Sequence, residues 1–576
     1  MVKFNNRACY FWLGISLLFT LYYGVCFYYF VFSQEYVVQD DARQHVVWLQ
    51  RFIDPELFPN DLIADYFQNL APLGFASLYL LVAKVGIEPI LFAKILPPIL
   101  AILTTVYIYL FTLKILPLPI AACLSSLLIN QLIWLNDDLV SATPRGFIYP
   151  LFAAFLYYLS KNHLISCLIL MLLQGLFYPH ILLIEMMILS LRLLIFKGRF
   201  IIRLTTIKQP YIWWIAGLIV TAIALYPITQ KPSELATTVT VEQMQQMPEF
   251  NLNGRSPFFG GGLLNYWFAG SSGFSLPLFP TIVWLGLLLP WLLKTKLPII
   301  KSITNKITII QQVTIASFFM FIMAHLLLPR LHLPSRYTYH TLRFVLAISS
   351  AIVLTVIIDL IRNQLKRKLK YKIPLNLSEK VKLTTITLFG IIMIVVPALP
   401  HIFLNGYQGW KVGEDKEIYQ YLAQQPKDIL VASLSKQANN IPAFSQRSIL
   451  VGGEFAMAYH PAYHNQIKQR TVALLQAQYS SDLVVLKSFI QQYNIDYFLL
   501  DETAFSSEYF SRKKWLINSS WRDETQQTIK QLKSGITPAL TRFIQPCTAI
   551  STEDLILVDA ACINQANMNT VSLLVD

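Results

Sequence analysis

The strongest constraint on this fold is a succession of apolar runs, each roughly 16–25 residues long, that begins at Tyr10 and recurs to about residue 404. A helix needs about 20 apolar residues to cross the ~30 Å hydrocarbon core of a bilayer, so each run has close to the length of one crossing. That core holds no water, so backbone N–H and C=O groups have to be satisfied inside the segment, which a helix does. Only 14% of the 576 residues are charged and the mean hydropathy is +0.50, whereas a soluble chain carries about a quarter charged residues. The fold class predicted is an α-helical polytopic membrane protein.

A net charge of +14 raises nucleic acid as a partner, but the placement of the charge points to a bilayer. The basic excess falls in short loops: Arg192, Lys197, Arg199, Arg203 and Lys208; Lys294, Lys296, Lys301 and Lys306; Arg362, Lys366, Arg367, Lys368, Lys370 and Lys372. Such clusters anchor cytoplasmic loops, and no nucleic-acid partner is expected. Lys3 and Arg7 put the N-terminus inside. The run Tyr10–Phe32 is too long for a signal peptide and lacks a small-residue cleavage site, so it reads as an uncleaved anchor. The acid-rich segment 33–70 then lies outside. Between it and basic loop 192–208 there are six apolar stretches where parity allows five. The weakest, 71–87, is short and carries Lys84, so it is expected to lie in the outer interface or to be partly re-entrant. The count is then about eleven spans, with outer loops 33–70, 136–145, 230–275 and 329–340.

Residues 1–404 form the transmembrane domain on this reading, and 405–576 a soluble extracytoplasmic domain. In the tail, β-type runs (Ile429–Ser433, Ser448–Gly452, Tyr497–Asp501, Leu555–Val558) alternate with helical patterns at 466–478 and 481–493, which suggests a small α/β domain. The six cysteines show no CxxC or zinc-like spacing. Cys9, Cys26, Cys123 and Cys167 lie in apolar spans as small hydrophobes. Cys547 and Cys562 are the two in the tail, where a disulfide competes with two free thiols.

Four outer segments carry chemistry. Asp40 and Asp41 follow the first span, and His45, Trp48 and Phe52 continue from Asp41 at helical spacing, as in an amphipathic helix at the membrane surface. One aspartate suffices as its N-cap, with Asp40 better placed for that, which leaves the other free to act as a base or to ligate a divalent cation. Asn136-Asp137-Asp138 in the next outer loop read either as a turn or as the second half of a metal or acid/base site. Thr143-Pro144 is an ordinary helix start, but Arg145 opposes the helix dipole there and calls for an anionic partner, a carboxylate or a phosphate. In PRLHLPSRYTYHTLRF, Arg336, His340 and Arg343 share a helix face. They suit phosphate oxygens, or else they pair with carboxylates elsewhere in the bundle. Loop 230–275, with Glu234, Glu242, Glu249 and Arg255 and a glycine- and aromatic-rich stretch, is long enough to be functional or to form an interfacial aromatic belt.

This layout resembles the GT-C superfamily of membrane glycosyltransferases, which includes oligosaccharyltransferase catalytic subunits, protein mannosyltransferases and the aminoarabinose transferase of lipid A. In that family an acidic residue stands in the first outer loop and often a second acidic motif in the next. Asp40/Asp41 and Asp137/Asp138 are similar in place. The tail has no WWDYG-like segment, which argues against an oligosaccharyltransferase acting on Asn-X-Ser/Thr sequons. The resemblance implies an inverting glycosyltransferase of cell-envelope assembly that moves a sugar from a polyprenyl-phosphate or polyprenyl-diphosphate carrier to an extracytoplasmic acceptor. Asp41 or Asp40 would be catalytic, and Arg145, Arg336, His340 and Arg343 would bind phosphate. A divalent metal (Mg or Mn) could sit at Asp137 and Asp138 with Asp40 or Asp41. A bacterial inner membrane is the expected location. The rival classes are a transporter or flippase, which predicts inverted repeats and mid-span charges that are not evident, and a non-catalytic scaffold.

Overall fold

The computed structural model describes residues 6–197, 201–230, 237–274, 276–277, 279–371, 376–399 and 409–566. Helices stand at every predicted span position. Among the described residues five are long and apolar enough to cross a membrane alone: Asn6–Phe32, Pro89–Ile115, Lys208–Thr229, Asn305–Leu326 and Arg336–Lys368. Others at span positions are shorter, such as Pro119–Trp134, Leu164–Phe177 and Pro179–Leu191, and pack against the long ones. The chain is an integral membrane protein. Its lipid-facing surface is visible in the exposed apolar residues of the first helix (Tyr10, Leu18, Val25, Tyr29) and of Lys208–Thr229 (Ile212, Ile219, Ile223).

Inside the bundle, small polar groups join helices where lipid tails supply no hydrophobic drive for association. Thr20 and Thr105 hydroxyls meet at 2.8 Å, Asn130 Nδ2 donates to Thr105 Oγ1 at 2.8 Å, and Thr112 pairs with Ser125 at 2.7 Å. The stretch 71–87 does not continue a straight span. Leu62–Leu70 and Leu73–Lys84 meet at 113°, and the break falls at Pro72, which has no N–H to continue the helix and restricts the residue before it.

The tail is an α/β domain. Its five-stranded sheet runs in the order 448–449, 430–432, 497–501, 555–559, 548–551. The first three strands are parallel and the last two antiparallel to their neighbours. Helix Leu483–Tyr493 packs on it through Phe489 against Phe498, and Pro461–Tyr479 packs on that helix. The strand Thr548–Ser551 escapes the sequence reading because it is short and follows Pro546-Cys547 with no alternation. Cys547 and Cys562 form a disulfide with Cα atoms 5.6 Å apart.

Two strands tie the halves together. Val37–Gln39, straight after the first membrane helix, pairs antiparallel with Trp410–Val412 at the start of the tail. Asp40 N–H donates to Gly409 O. Gly409 has φ of +98°, and a Cβ there would lie 3.0 Å from Gln39 Nε2, so this close approach beside the first aspartates favours glycine.

Candidate functional site

The site forms where segment 33–70 and loop 136–145 meet. Asp137–Val140 is a single helical turn, and the chain reverses through Ala142, at φ +52°, into Pro144–Phe147. Gly146 lets that turn lie directly on the backbone of Asp138, whose carbonyl oxygen would be 3.2 Å from a Cβ there. The turn aims Arg145 inward. Its guanidinium pairs with Asp41 Oδ2, with Asp138 Oδ1 at 2.9 Å and with Asp137 Oδ2 at 3.6 Å. The anionic partner of Arg145 at this helix start is thus a trio of carboxylates drawn from both loops.

The two adjacent aspartates have separate partners. Asp40 pairs with Arg43 and with Lys411 Nζ at 3.3 Å. It does not cap the helix Asp40–His45, as the sequence suggested. Gln39 does so, accepting from Ala42 N–H at 3.1 Å, because its longer side chain reaches that amide while Asp40 is drawn to the basic pair. Nor does the His45–Trp48–Phe52 stripe lie on a membrane surface. The helix ends at His45, a tighter turn follows over Val47–Phe52, and Trp48 is buried against Phe58, Phe67 and Phe455 of the tail.

Arg336, His340 and Arg343 share a helix face but not a task. Asp138, fully buried, accepts from Arg343 Nη1 at 3.0 Å and from Tyr149 OH at 2.9 Å, with His340 Nδ1 at 3.7 Å. Arg343 also donates to Tyr149 OH and lies 3.7 Å over the Tyr339 ring. Arg343 is thus committed to a carboxylate, while His340 Nδ1 stands 3.7 Å from Asp138 Oδ2, beyond hydrogen-bond reach. Arg336 has no ion pair or side-chain hydrogen bond among the described residues. It faces a cavity of about 1230 Å³.

That cavity lies between the membrane bundle and the tail. Asp41, Arg145, Arg255, Arg336 and Glu454 are its charged lining, with His45, His180, His332, His460, Tyr178 and Tyr459 among its rings. Burial holds His45 and His460 down to about 4 and His332 well below its ordinary range, the last also because His180 and Arg336 are close. A second cavity of about 340 Å³ is lined by Asp40, Asp41, Leu135, Asn136, Asp137, Tyr339 and Gly409. Asp41 is the one residue common to both.

The described part of loop 230–275 lines the larger cavity at Thr237, Thr238, Arg255, Ser256 and Ser271 and is docked on the tail. Glu249 accepts from His464 Nε2 at 3.1 Å, Ser520 N–H at 2.7 Å and Ser520 Oγ at 2.8 Å. Burial alone raises the Glu249 carboxyl, but these hydrogen bonds and the His464 charge outweigh it and leave the group below its ordinary 4.5. Arg255 donates to Gly453 O, Glu454 O and Glu454 Oε1. Glu234 lies outside the described residues.

Neither a family model nor a curated protein sequence matches this chain. Solved structures do. The oligosaccharyltransferase AglB of Archaeoglobus fulgidus, in complex with an inhibitory peptide and a dolichol-phosphate, superposes with a TM-score of 0.51 at 12% identity, over 91% of this chain and 72% of that one. The fold is GT-C-like. A second structure of the A. fulgidus enzyme, tethered to an acceptor peptide, gives a TM-score of 0.49 at 11% identity over 92% and 72% of the two chains. The arabinofuranosyltransferase AftD from Mycobacteria gives 0.46 at 11% identity, over 86% of this chain and 37% of its own.

Within this GT-C-like fold the two acidic loops do converge, but on a guanidinium. A divalent cation needs an open cage of oxygen donors at about 2.0–2.6 Å, and Arg145 fills the space between Asp41, Asp137 and Asp138. Among the described residues no group of three or more His, Cys, Asp or Glu is arranged to hold a metal. As arranged, the residues do not fit the expected metal, and no step below is routed through one. Sequence reasoning missed His180, His332, His460 and Glu454. His332 lay within a quoted segment, in a left-handed conformation at φ +59° that marks functional sites, but backbone angles are not visible in a sequence. Glu454 carried no signal at all.

Proposed function

We propose that this chain is a membrane glycosyltransferase that moves a sugar from a polyprenyl-phosphate-class carrier to an acceptor hydroxyl outside the cytoplasm. The observation that carries the reading is the position of Asp41 at the junction of the two cavities. On one side the large cavity offers Arg336, a guanidinium with no ion pair or side-chain hydrogen bond among the described residues, to a phosphate leaving group, and it reaches membrane-helix residues Gly175, Leu176, Ala224 and Ile228, where a lipid tail has access. On the other side the small cavity offers Asn136, Asp137 and Tyr339 to a hydroxylated acceptor. The A. fulgidus enzyme of like fold binds a dolichol-phosphate, which supports a carrier of this class.

The chemistry follows from opposed approach. The acceptor oxygen enters from the small cavity and loses its proton to Asp41 as it bonds to the anomeric carbon. The bond from that carbon to the phosphate oxygen breaks, and the electron pair leaves with the phosphate onto Arg336. The proton on Asp41 passes to solvent through the small cavity. Attack from the side opposite the leaving group inverts the anomeric carbon. Arg145 fixes the Asp41 carboxylate in place. Loop 230–275, held by Glu249 and Arg255, keeps water from the reacting centre.

The test is incubation of the purified protein with a panel of labelled polyprenyl-phosphate and polyprenyl-diphosphate sugars, plus a membrane extract as acceptor source. Release of carrier that disappears in Asp41→Asn supports the reading. Release from no donor, or equal release by Asp41→Asn, overturns it.

A further inference from the structure

The ends of the membrane helices opposite the cavities carry charge that their own loops do not balance. Segments 114–118, 161–163, 192–208 and 294–308 hold eleven lysines and arginines and no aspartate or glutamate. By loop charge and the parity of the spans, all four belong to the cytoplasmic side. Three of these cations stand at helix ends. Lys114 closes helix Pro89–Ile115, Arg192 follows helix Pro179–Leu191, and Lys306 is in the first turn of Asn305–Leu326.

The fold gathers these three against their mutual repulsion. Thr304 N–H donates to Ile115 O at 2.8 Å and Thr304 Oγ1 to Lys114 O at 2.6 Å, which fastens the approach to Lys306 onto the end of the Lys114 helix. Helix Pro179–Leu191 packs along Thr308–Leu326 and brings Arg192 to the same place. Arg192 and Lys114 are both near enough for their charges to act on Lys306. Arg192 and Lys306 are half-buried, and none of the three has an ion pair among the described residues. The one acid of helix Pro179–Leu191, Glu185, is fully buried about 10 Å back along the axis from Arg192. At Lys306 a cation also opposes the helix dipole, which favours an anion at that first turn.

We propose that Arg192, Lys306 and Lys114 form a site for the phosphate of an anionic glycerophospholipid in the inner leaflet. Like charges gathered in a half-buried place are stabilised by a bound anion, and basic pockets between helices at the cytoplasmic face suit anionic headgroups. The surroundings fit a lipid rather than a soluble anion. The Arg192 guanidinium lies 5.6 Å over the Trp213 ring and donates to Asn162 Oδ1 at 3.3 Å, which sets it at the level where tryptophans mark the membrane interface. Ile212 and Ile215, close to Trp213 in the same helix, are exposed and leave apolar surface near the cations for acyl chains. A lipid held there joins the ends of three helices, one of which opens at Pro179 and His180 on the wall of the large cavity. The site is independent of the glycosyltransferase reading, since none of its three cations lines either cavity.

The experiment is native mass spectrometry of the full-length protein titrated with phosphatidylglycerol or with phosphatidylcholine of the same acyl chains. Each cation near an anionic headgroup is worth about fivefold in affinity, so phosphatidylglycerol should bind at least about tenfold tighter. Lys114→Gln/Lys306→Gln, which removes no side-chain contact among the described residues, should weaken phosphatidylglycerol by about 25-fold. Lys294→Gln/Lys296→Gln takes the same charge from the same side of the membrane outside the cluster, and should leave the affinity within about twofold. Millimolar glycerophosphoglycerol, the headgroup without its chains, should not displace the lipid. Equal affinity for the two lipids, equal weakening by the two double variants, or displacement by the free headgroup overturns the proposal.

Discussion

Replacing Asp138 by Asn removes a charge that the structure uses to neutralise a buried arginine. The Asp138 carboxyl is 0% exposed and Arg343 is also 0% exposed; they meet at 3.0 Å, with Tyr149 OH on the same carboxylate oxygen. Asn keeps the shape but leaves Arg343 without its counter-ion, and breaking a buried pair from one side costs roughly 3–5 kcal/mol. At roughly 1–2 °C per kcal/mol for a cooperative unit of this size, melting should fall by about 3–10 °C. Asp138→Asn therefore differs from Asp41→Asn, although the two acids sit on the same guanidinium. The assay is scanning fluorimetry on detergent-purified protein for Asp138→Asn, Arg343→Met and the double variant. The double variant should be less destabilised than the sum of the single variants by about 1–3 kcal/mol, because no charge is then left unpaired. A melting point for Asp138→Asn within about 1 °C of wild type, or strict additivity in the cycle, refutes the anchoring role.

The remaining expectations concern catalysis, the loop, the tail and metal. Asp41→Asn should lose about a hundredfold or more in carrier release with melting unchanged, while Asp40→Asn, which loosens contacts to Lys411 and to a buried Arg43 still held by Asn440 and Glu454, should be milder; comparable losses in both would remove the distinction. Because the folded Glu249 carboxyl titrates below its ordinary 4.5, its contribution to loop docking is present above that pH and lost as pH falls through the lower folded value; limited proteolysis of loop 230–275 should thus stay slow at pH 7 and quicken in acid, and Glu249→Gln should quicken it already at pH 7. The double change Cys547→Ser/Cys562→Ser should cost the tail about 3 kcal/mol by loop closure over 15 residues, read by thermal unfolding, and mass spectrometry of the non-reduced protein should show the linked peptides. Treatment with EDTA should leave carrier release within about twofold, since Arg145 occupies the centre of the acidic trio and a cation there would need an open cage of oxygen donors; a loss restored by Mg or Mn would contradict this.

Run length and loop charge made the membrane class, the positions of the helices and the α/β character of the tail legible in the sequence, because each depends on local periodicity and composition. A helix in hydrocarbon satisfies its backbone within its own segment, so it is recognisable without knowing its neighbours. The pairing of charges is of another kind. Asp41 and Arg145 lie over 100 positions apart and meet only because the Asp137–Val140 turn and the strand pair 37–39/410–412 bring two loops together. Arg336, His340 and Arg343 look equivalent at i, i+4 and i+7. Which of them stays free is decided by where Asp138 reaches, and that is set by the packing of Pro119–Trp134, just before the Asp138 turn, against Thr341–Lys370 rather than by any residue's own character. The docking of loop 230–275 through Glu249 and Arg255 onto His464, Ser520 and Glu454 likewise joins segments roughly 200 or more residues apart. A short apolar pattern specifies an element through its own backbone, whereas a buried charge specifies only that it needs a partner, and the tertiary structure alone names which one.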